Sequence, residues 1–299
     1  MCLIEESILF AIGAGILLAI GNNIARAGVI NKDPLLGTAI SIFSGTIVLF
    51  LIIVVSDQFK EVFELDWKSI IYLSISGILG FVCGRSILFY CSKIIGISRT
   101  QVVMSSSIIH TVILGWVILG ETLSIKEILA IIVMISGVIM ISLSSSNNQS
   151  DQINKKKFMK GFLIAMTGAV LVAIASILIA IVVNGYASPY SGVFVSYIAA
   201  SASWLVIILP RKKFREMIKD SRTTKLFIIH GIITALAQLS RYLAISLGSV
   251  VIVQPINLSI NPIFTIILAS IFFNKIENIN LRVWIALLLI ISGIYLATY

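Results

Sequence analysis

Charge is scarce in this chain. Asp and Glu number 13 and Lys and Arg 22 among 299 residues, 12% in all against 59% hydrophobic, where a soluble domain runs about 25% charged and about 45–50% apolar. That scarcity excludes a water-soluble globule. A mean hydropathy of +1.08, spread over separate apolar stretches, also excludes a soluble enzyme on a single anchor. Cysteine is as sparse: Cys2, Cys83 and Cys91 form neither an even disulfide framework nor a metal-ligand spacing, and they read as packing residues. No metal or other cofactor is implied. The N-terminus MCLIEES lacks a basic n-region, so Ile8 onward reads as a first membrane span rather than a cleaved signal. The net charge is +9, but its basic residues sit in short connections and not on a basic helix with aromatic neighbours, so nucleic acid is not an implied partner. The lipid bilayer is.

What is present is a series of long apolar runs. A membrane helix takes about 20 apolar residues, and the runs place ten: 8–28, 35–55, 69–92, 97–119, 125–143, 161–183, 190–209, 226–247, 250–273 and 282–298. Continuous apolarity over such lengths excludes a barrel, whose strands alternate at period two over about 10 residues. The fold class expected is an all-α integral membrane protein of ten transmembrane helices.

One polar segment, Ser142 to Lys157, divides the chain almost in half. Shifting one half by 156 residues aligns ISGVIMI, ending at Ile141, with ISGIYLA, ending at Ala297, and pairs Arg85 with Arg241, Glu121 with Glu277 and Lys126 with Arg282. A shift of 154 pairs Leu17–Asn22 with Leu171–Ser176. The chain reads as a duplication: a first five-helix repeat over 1–143, a polar basic linker over 144–160 and a second repeat over 161–299. Five spans per repeat is odd, so the second copy enters the membrane inverted, an architecture that places a substrate site near midplane between the halves.

The stretches Gly80–Gly96 and Trp116–Met140, with their counterparts Leu239–Pro255, Asn261–Asn278 and Ile291–Ala297, resemble the drug/metabolite transporter superfamily in its ten-helix EamA-type form. The glycine-glutamate turn at Gly120 and Glu121 is the most specific mark; the second half departs from it with Asn274, Lys275 and Ile276 before Glu277. The resemblance spans essentially the whole chain. It implies transport of small solutes by alternating access through a cavity lined by both halves, without naming the solute. Small four-helix exporters of that superfamily carry an embedded glutamate in the first span, where this chain has Gly13, Ala14 and Gly15; that proton-exchange mechanism is not expected here.

An ionisable group inside the bilayer costs at least about 2.5–3.5 kcal/mol at a helix centre, so each is a functional candidate. No acid falls in the middle of an expected span; Glu127 stands at the very start of span five. Arg85 and Arg241 lie well inside theirs, each about four residues past its span centre, or roughly 6 Å from midplane at 1.5 Å per residue. Spans three and eight run in opposite directions, so the two cations belong to opposite leaflets. Each needs a carbonyl, a counter-ion, water or an anionic substrate group, unless it snorkels to an interface. His110 could carry protons or serve as hydrogen-bonded structure, and His230 is a weaker candidate of the same kind. Amides mark span one (Asn22, Asn23), span eight (Gln238, three residues before Arg241) and span nine (Gln254, Asn257, Asn261, beside Pro255 and Pro262). They either bind substrate or glue helices, and the two prolines favour a cavity border. Gln101 and Ser105–Ser107 in span four occupy the equivalent stretch. The substrate-binding set is thus Asn22, Asn23, Arg85, Gln101, His110, Gln238, Arg241, Gln254, Asn257 and Asn261. Small residues four apart, Ala11, Gly15 and Ala19 or Gly80 and Gly84, read as close-packing sites, and Tyr90, Trp116 and Tyr242 as interface anchors or stacking surfaces.

These features point to a secondary transporter of a small polar metabolite, such as an amino acid or another carboxylate-bearing solute, in the cell membrane. Efflux of amphipathic drugs is the alternative. An intramembrane protease fits less well, since Ser44–Gly45 lacks the leading glycine of a glycine-serine turn, and a non-transporting scaffold does not call for amides and arginines along facing helices. The implied partners are a small-molecule substrate, the bilayer and, as an option, a second copy of the chain in a homodimer. Orientation is signalled twice, with opposite answers. The odd-numbered connections hold 17 Lys and Arg against Lys60, Lys68 and Lys126 on the other side, which puts both termini outside; the family resemblance implies termini in the cytoplasm.

Overall fold

The computed structural model describes residues 2–29, 34–95, 97–144, 155–185, 187–208, 220–272 and 281–298, and these are helical almost throughout. Spans one and two are α1 (Cys2–Val29) and α2 (Pro34–Val55). A short helix, α3 (Phe59–Glu64), occupies the second connection. Span three is α4 (Trp67–Gly77), a π-helical stretch (Ile78–Gly84) and α5 (Arg85–Ile95). Span four is α6 (Ile97–Ser105), α7 (Ser107–Leu114) and a second π-helical stretch (Gly115–Leu119). Spans five to ten are α8 (Ile125–Ser144), α9 (Lys155–Val183), α10 (Pro189–Ile208), α11 (Ser221–Leu247), α12 (Val250–Phe272) and α13 (Leu281–Thr298). Among the described residues six helices are long and apolar enough to cross a membrane, and Val103–Leu119, Val250–Thr265 and Trp284–Ala297 are shorter apolar helices. With α8 these make the ten expected spans. Glu5 and Glu6 fall in the opening turns of α1 rather than ahead of it, exposed at its outer end.

Local chemistry explains where several spans begin. Asp66 caps α4 by accepting from the Ser69 amide at 3.2 Å, and hydrogen bonding to Ser69 holds its carboxyl below the usual carboxylate range. Ser124 and Glu127 form a reciprocal capping box at α8, with bonds of 2.7 and 3.2 Å, which satisfies two amides that the helix leaves open. Asp220 caps α11 through Thr223.

The helices interleave the two halves. Span one packs on spans eight and nine and span two on span eight; reciprocally, span six packs on spans three and four and span seven on span three, while spans five and ten pair with each other. Exchanging the halves maps each of these contacts onto another of the set, as a duplicated chain requires. The result is two four-helix bundles, spans one, two, eight and nine against spans three, four, six and seven, which meet where span two packs on span seven. Close approach is specified by small residues. A Cβ at Gly15 would lie 2.7 Å from Ile260 Cγ2 and 3.1 Å from the Asn257 carbonyl oxygen, so α1 reaches α12 only because no side chain stands there.

Candidate functional site

Two guanidinium groups sit at the boundary between the bundles, in unequal surroundings. Arg241, on α11, is 9% exposed. Its Nε donates to Gln254 Oε1 at 3.2 Å, one terminal nitrogen to Gln238 Oε1 at 3.3 Å and the other to Ser176 Oγ at 2.6 Å. All three acceptors are neutral, so each guanidinium nitrogen has one acceptor while the charge is left uncompensated. The i, i+3 spacing of Gln238 and Arg241 puts both on one face of α11, and Ser176 reaches them from α9 in the other bundle. Beside this cage Tyr242 donates its phenol to Ser196 Oγ at 2.8 Å, and Ser196 donates to the Leu73 carbonyl at 2.9 Å, tying spans eight, seven and three together.

Arg85 opens α5 directly after the π-helical stretch and is half-buried. Among the described residues it has no hydrogen-bond partner. The helix that carries it, α5, packs on α9 of its own bundle and touches α2 of the other. His230 is 3% exposed and its Nδ1 lies 2.7 Å from Ser41 Oγ. The single Ser41 hydroxyl proton is directed at the Gly37 and Phe227 carbonyl oxygens, both at 2.9 Å. With that proton on either carbonyl, Ser41 accepts from His230 in its Nδ1–H tautomer. Gly21 of α1 faces Nε2, with a Cβ there reaching 3.8 Å from it.

The amides of span one and span nine meet each other. Asn22 Nδ2 donates to Asn261 Oδ1 at 2.9 Å, Asn23 Nδ2 to the Ala19 and Thr265 carbonyls at 2.9 and 3.1 Å, and Asn257 Nδ2 to the Ala11 carbonyl at 3.4 Å. This is the helix-joining use of such residues, although Asn23 Oδ1 stays buried without a partner among the described residues. Gln101 is exposed on α6. His110 donates Nδ1–H to the Ser106 carbonyl of its own helix at 2.8 Å. Tyr90 and Trp116 are exposed, whereas Tyr242 is fully buried. Arg26's side chain and Glu277 lie outside what is described. Ser41, Ser176, Ser196 and Tyr197 were not singled out from sequence, because a serine or tyrosine in an apolar run carries no signal until its partner is known.

Comparison with known proteins bears on this arrangement. A model of the EamA-like transporter family matches residues 6–143 and again residues 159–299. The chain belongs to the EamA-like transporter family. This EamA-like transporter also shares its fold with a crystal structure described only as that of a protein, with a TM-score of 0.75 over 98% of this chain and 96% of the other at 16% identity. No curated protein matches it in sequence. The family is one of membrane transporters, and the chain is a multi-pass membrane protein. Within this transporter the turn at Gly120, whose φ of +68° suits glycine, delivers Glu121 to the start of span nine.

Proposed function

We propose that this transporter carries a small polar solute bearing a carboxylate across the cell membrane by alternating access between its two bundles. The observation that carries the reading is the inequality of Arg85 and Arg241, which the 156-residue shift makes equivalent. Arg241 is locked to Ser176, its neighbour across the boundary; Arg85 lacks a hydrogen bond to Asn22, the residue that the 154-residue shift makes equivalent to Ser176. Inverted repeats in unequal environments describe one access state, and exchanging the environments describes the other.

Toward the even-numbered connections the bundles are joined by Arg241 with Ser176, Tyr242 with Ser196, and Glu121 with Ser249. Toward the odd-numbered connections Arg85 makes no hydrogen bond to the other bundle among the described residues. On this reading the contacts of Arg241, Tyr242 and Glu121 close the even side. Two uncompensated guanidinium groups near midplane, with the described acids outside the middle of the spans, such as Glu127 in the first turn of α8, favour an anionic over a cationic cargo. That favours the metabolite over the amphipathic cationic drug.

The test is counterflow in proteoliposomes with labelled amino acids, organic acids, sugars and a cationic dye. Exchange of carboxylate-bearing members is the expected result. Exchange of the dye alone would contradict it.

A further inference from the structure

Two seams of the molecule are their own counterparts when the halves are exchanged: span two on span seven, and span five on span ten. A shift of 155 residues superposes spans two and seven, pairing Pro34, Gly37 and Thr46 with Pro189, Gly192 and Ser201. Thr46 and Ser201, equivalent by that shift, are bonded to each other, Oγ1 to Oγ at 2.8 Å. The Thr46 hydroxyl also lies against the Ile42 and Tyr197 carbonyl oxygens, at 2.8 and 3.4 Å, and those two residues are again equivalent. Each hydroxyl stands within about two residues of its span centre, or roughly 3 Å from midplane at 1.5 Å per residue. Spans five and ten repeat the arrangement at the shift of 156. A Cβ at Gly137 would lie 2.6 Å from Ile290 Cγ1 and 3.0 Å from the Ala286 carbonyl oxygen; one at Gly293 would lie 2.6 Å from Met134 Cγ and 2.9 Å from the Ala130 carbonyl oxygen. Within the bundles, contacts come in matched pairs. Ser41 donates to the Phe227 carbonyl while its own carbonyl lies against Gly231, and Ser196 does the same with Leu73 and Gly77.

Inverted repeats are related by an approximate two-fold axis in the membrane plane, and equivalent residues touch each other only where they meet on it. We propose that the line from the Thr46–Ser201 bond to the Gly137–Gly293 seam is the axle about which the two bundles rock. This rests on the alternating-access reading above and adds where the motion turns. Rotation about that line opens one side as it closes the other and exchanges the environments of the repeats. A contact between equivalent residues is carried onto itself by the exchange, so it is present in both states. A contact made in one copy, such as Arg241 with Ser176, belongs to one state. A contact matched within both bundles, such as Ser41 with Phe227 and Ser196 with Leu73, travels with a rigid body. The residues suit an axle: two short hydroxyl side chains at one point, and glycines facing backbone carbonyls at the other, give close helix approach.

In protein with Cys2, Cys83 and Cys91 replaced, Thr46→Cys with Ser201→Cys puts two sulfurs where the bonded hydroxyls stand, within disulfide reach. The disulfide is formed in proteoliposomes, and counterflow is measured over the panel of amino acids, organic acids, sugars and cationic dye, with the reduced protein as the control for folding. The bridged protein should exchange within about twofold of the reduced one, because a bond on the axis does not oppose rotation about it. Glu121→Cys with Ser249→Cys, joined across the even side by a short bifunctional thiol reagent, should lose at least about tenfold. Loss of exchange on bridging 46 to 201, regained on reduction, overturns the proposal, as does unimpaired exchange with 121 bridged to 249. Should the cysteine pair fail to fold, Thr46→Val decides, since a contact made equally in both states biases neither. The ratio of thiol labelling at Ser249→Cys to that at Asn22→Cys should be unchanged by Thr46→Val and raised at least about threefold by Ser176→Ala. A shift with Thr46→Val as large as that with Ser176→Ala overturns the axle. The two readings fail separately: exchange of the dye alone, untouched by the 46–201 bridge, contradicts the carboxylate cargo and spares the axle, and carboxylate exchange stopped by that bridge does the reverse.

Discussion

Glu121 Oε2 accepts hydrogen bonds from Ser249 Oγ at 2.5 Å and from the Val251 amide at 3.2 Å. The turn that ends span four in the first half therefore caps the first turn of span nine in the second. A carboxylate at a helix N-terminus satisfies amides that the helix leaves open and complements its dipole. Glu121→Ala should lower stability by about 1–2 kcal/mol, as loss of a helix cap does, seen as a reduced melting temperature in detergent. Glu121→Gln should lose less, since it keeps an acceptor. Equal melting of all three proteins would show that the contact is incidental.

The Arg241 cage makes a second expectation. Ser176→Ala removes an acceptor and leaves a buried guanidinium N–H unpaired, a loss of about 1–3 kcal/mol. Arg241→Lys keeps the charge but cannot reach Ser176, Gln238 and Gln254 with one planar fork, so it should melt lower than wild type and at least as low as Ser176→Ala. Thermal unfolding of the purified variants checks the order. A Lys variant as stable as wild type would point to a snorkelling side chain instead.

The spans and the duplication were legible because both rest on properties written residue by residue: apolar run length and recurrence of Arg, Glu and ISG at a fixed shift. The interruptions were not. Nothing in ILGFVCG distinguishes a π-helical stretch from a straight helix, yet it is the segment that leads into Arg85. Span four likewise breaks at Ser106 within a run that reads as uniform. Arg241, Gln238 and Gln254 were chosen one by one on cost, and the structure brings them into one cage. Asn257, chosen on the same ground, turns toward the α1 backbone. Cost identifies which polar groups need a partner, and only packing decides which partner it is.

Accessibility should follow that packing. Gln254 and Asn257 are 1% and 2% exposed, whereas Asn22 and Asn261 are half-buried. In a background with Cys2, Cys83 and Cys91 replaced, cysteine at 22 or 261 should react with a small water-soluble thiol reagent at least about tenfold faster than cysteine at 254 or 257, and carboxylate substrate should slow the reaction. Equal rates at the four positions would contradict the sealed even side.

Orientation follows from charge. The 17 basic residues of the odd-numbered connections should be retained in the cytoplasm, which makes the Arg85 side of the bundle the cytoplasmic side. Alkaline phosphatase fused after Tyr299 should then be active. An inactive phosphatase together with an active cytoplasmic reporter at the same place would reverse the assignment and with it the direction of opening.

The most direct test of a carboxylate carried past Arg85 is counterflow of an identified carboxylate substrate by wild-type protein, Arg85→Lys and Arg85→Gln at matched membrane levels. A guanidinium that holds a carboxylate through two parallel N–H bonds loses that geometry in Lys and its charge as well in Gln. Exchange should therefore fall by at least about tenfold in Arg85→Lys and further in Arg85→Gln, with both proteins still folded by melting. Wild-type rates in both variants would contradict the assignment of Arg85 to the substrate pathway.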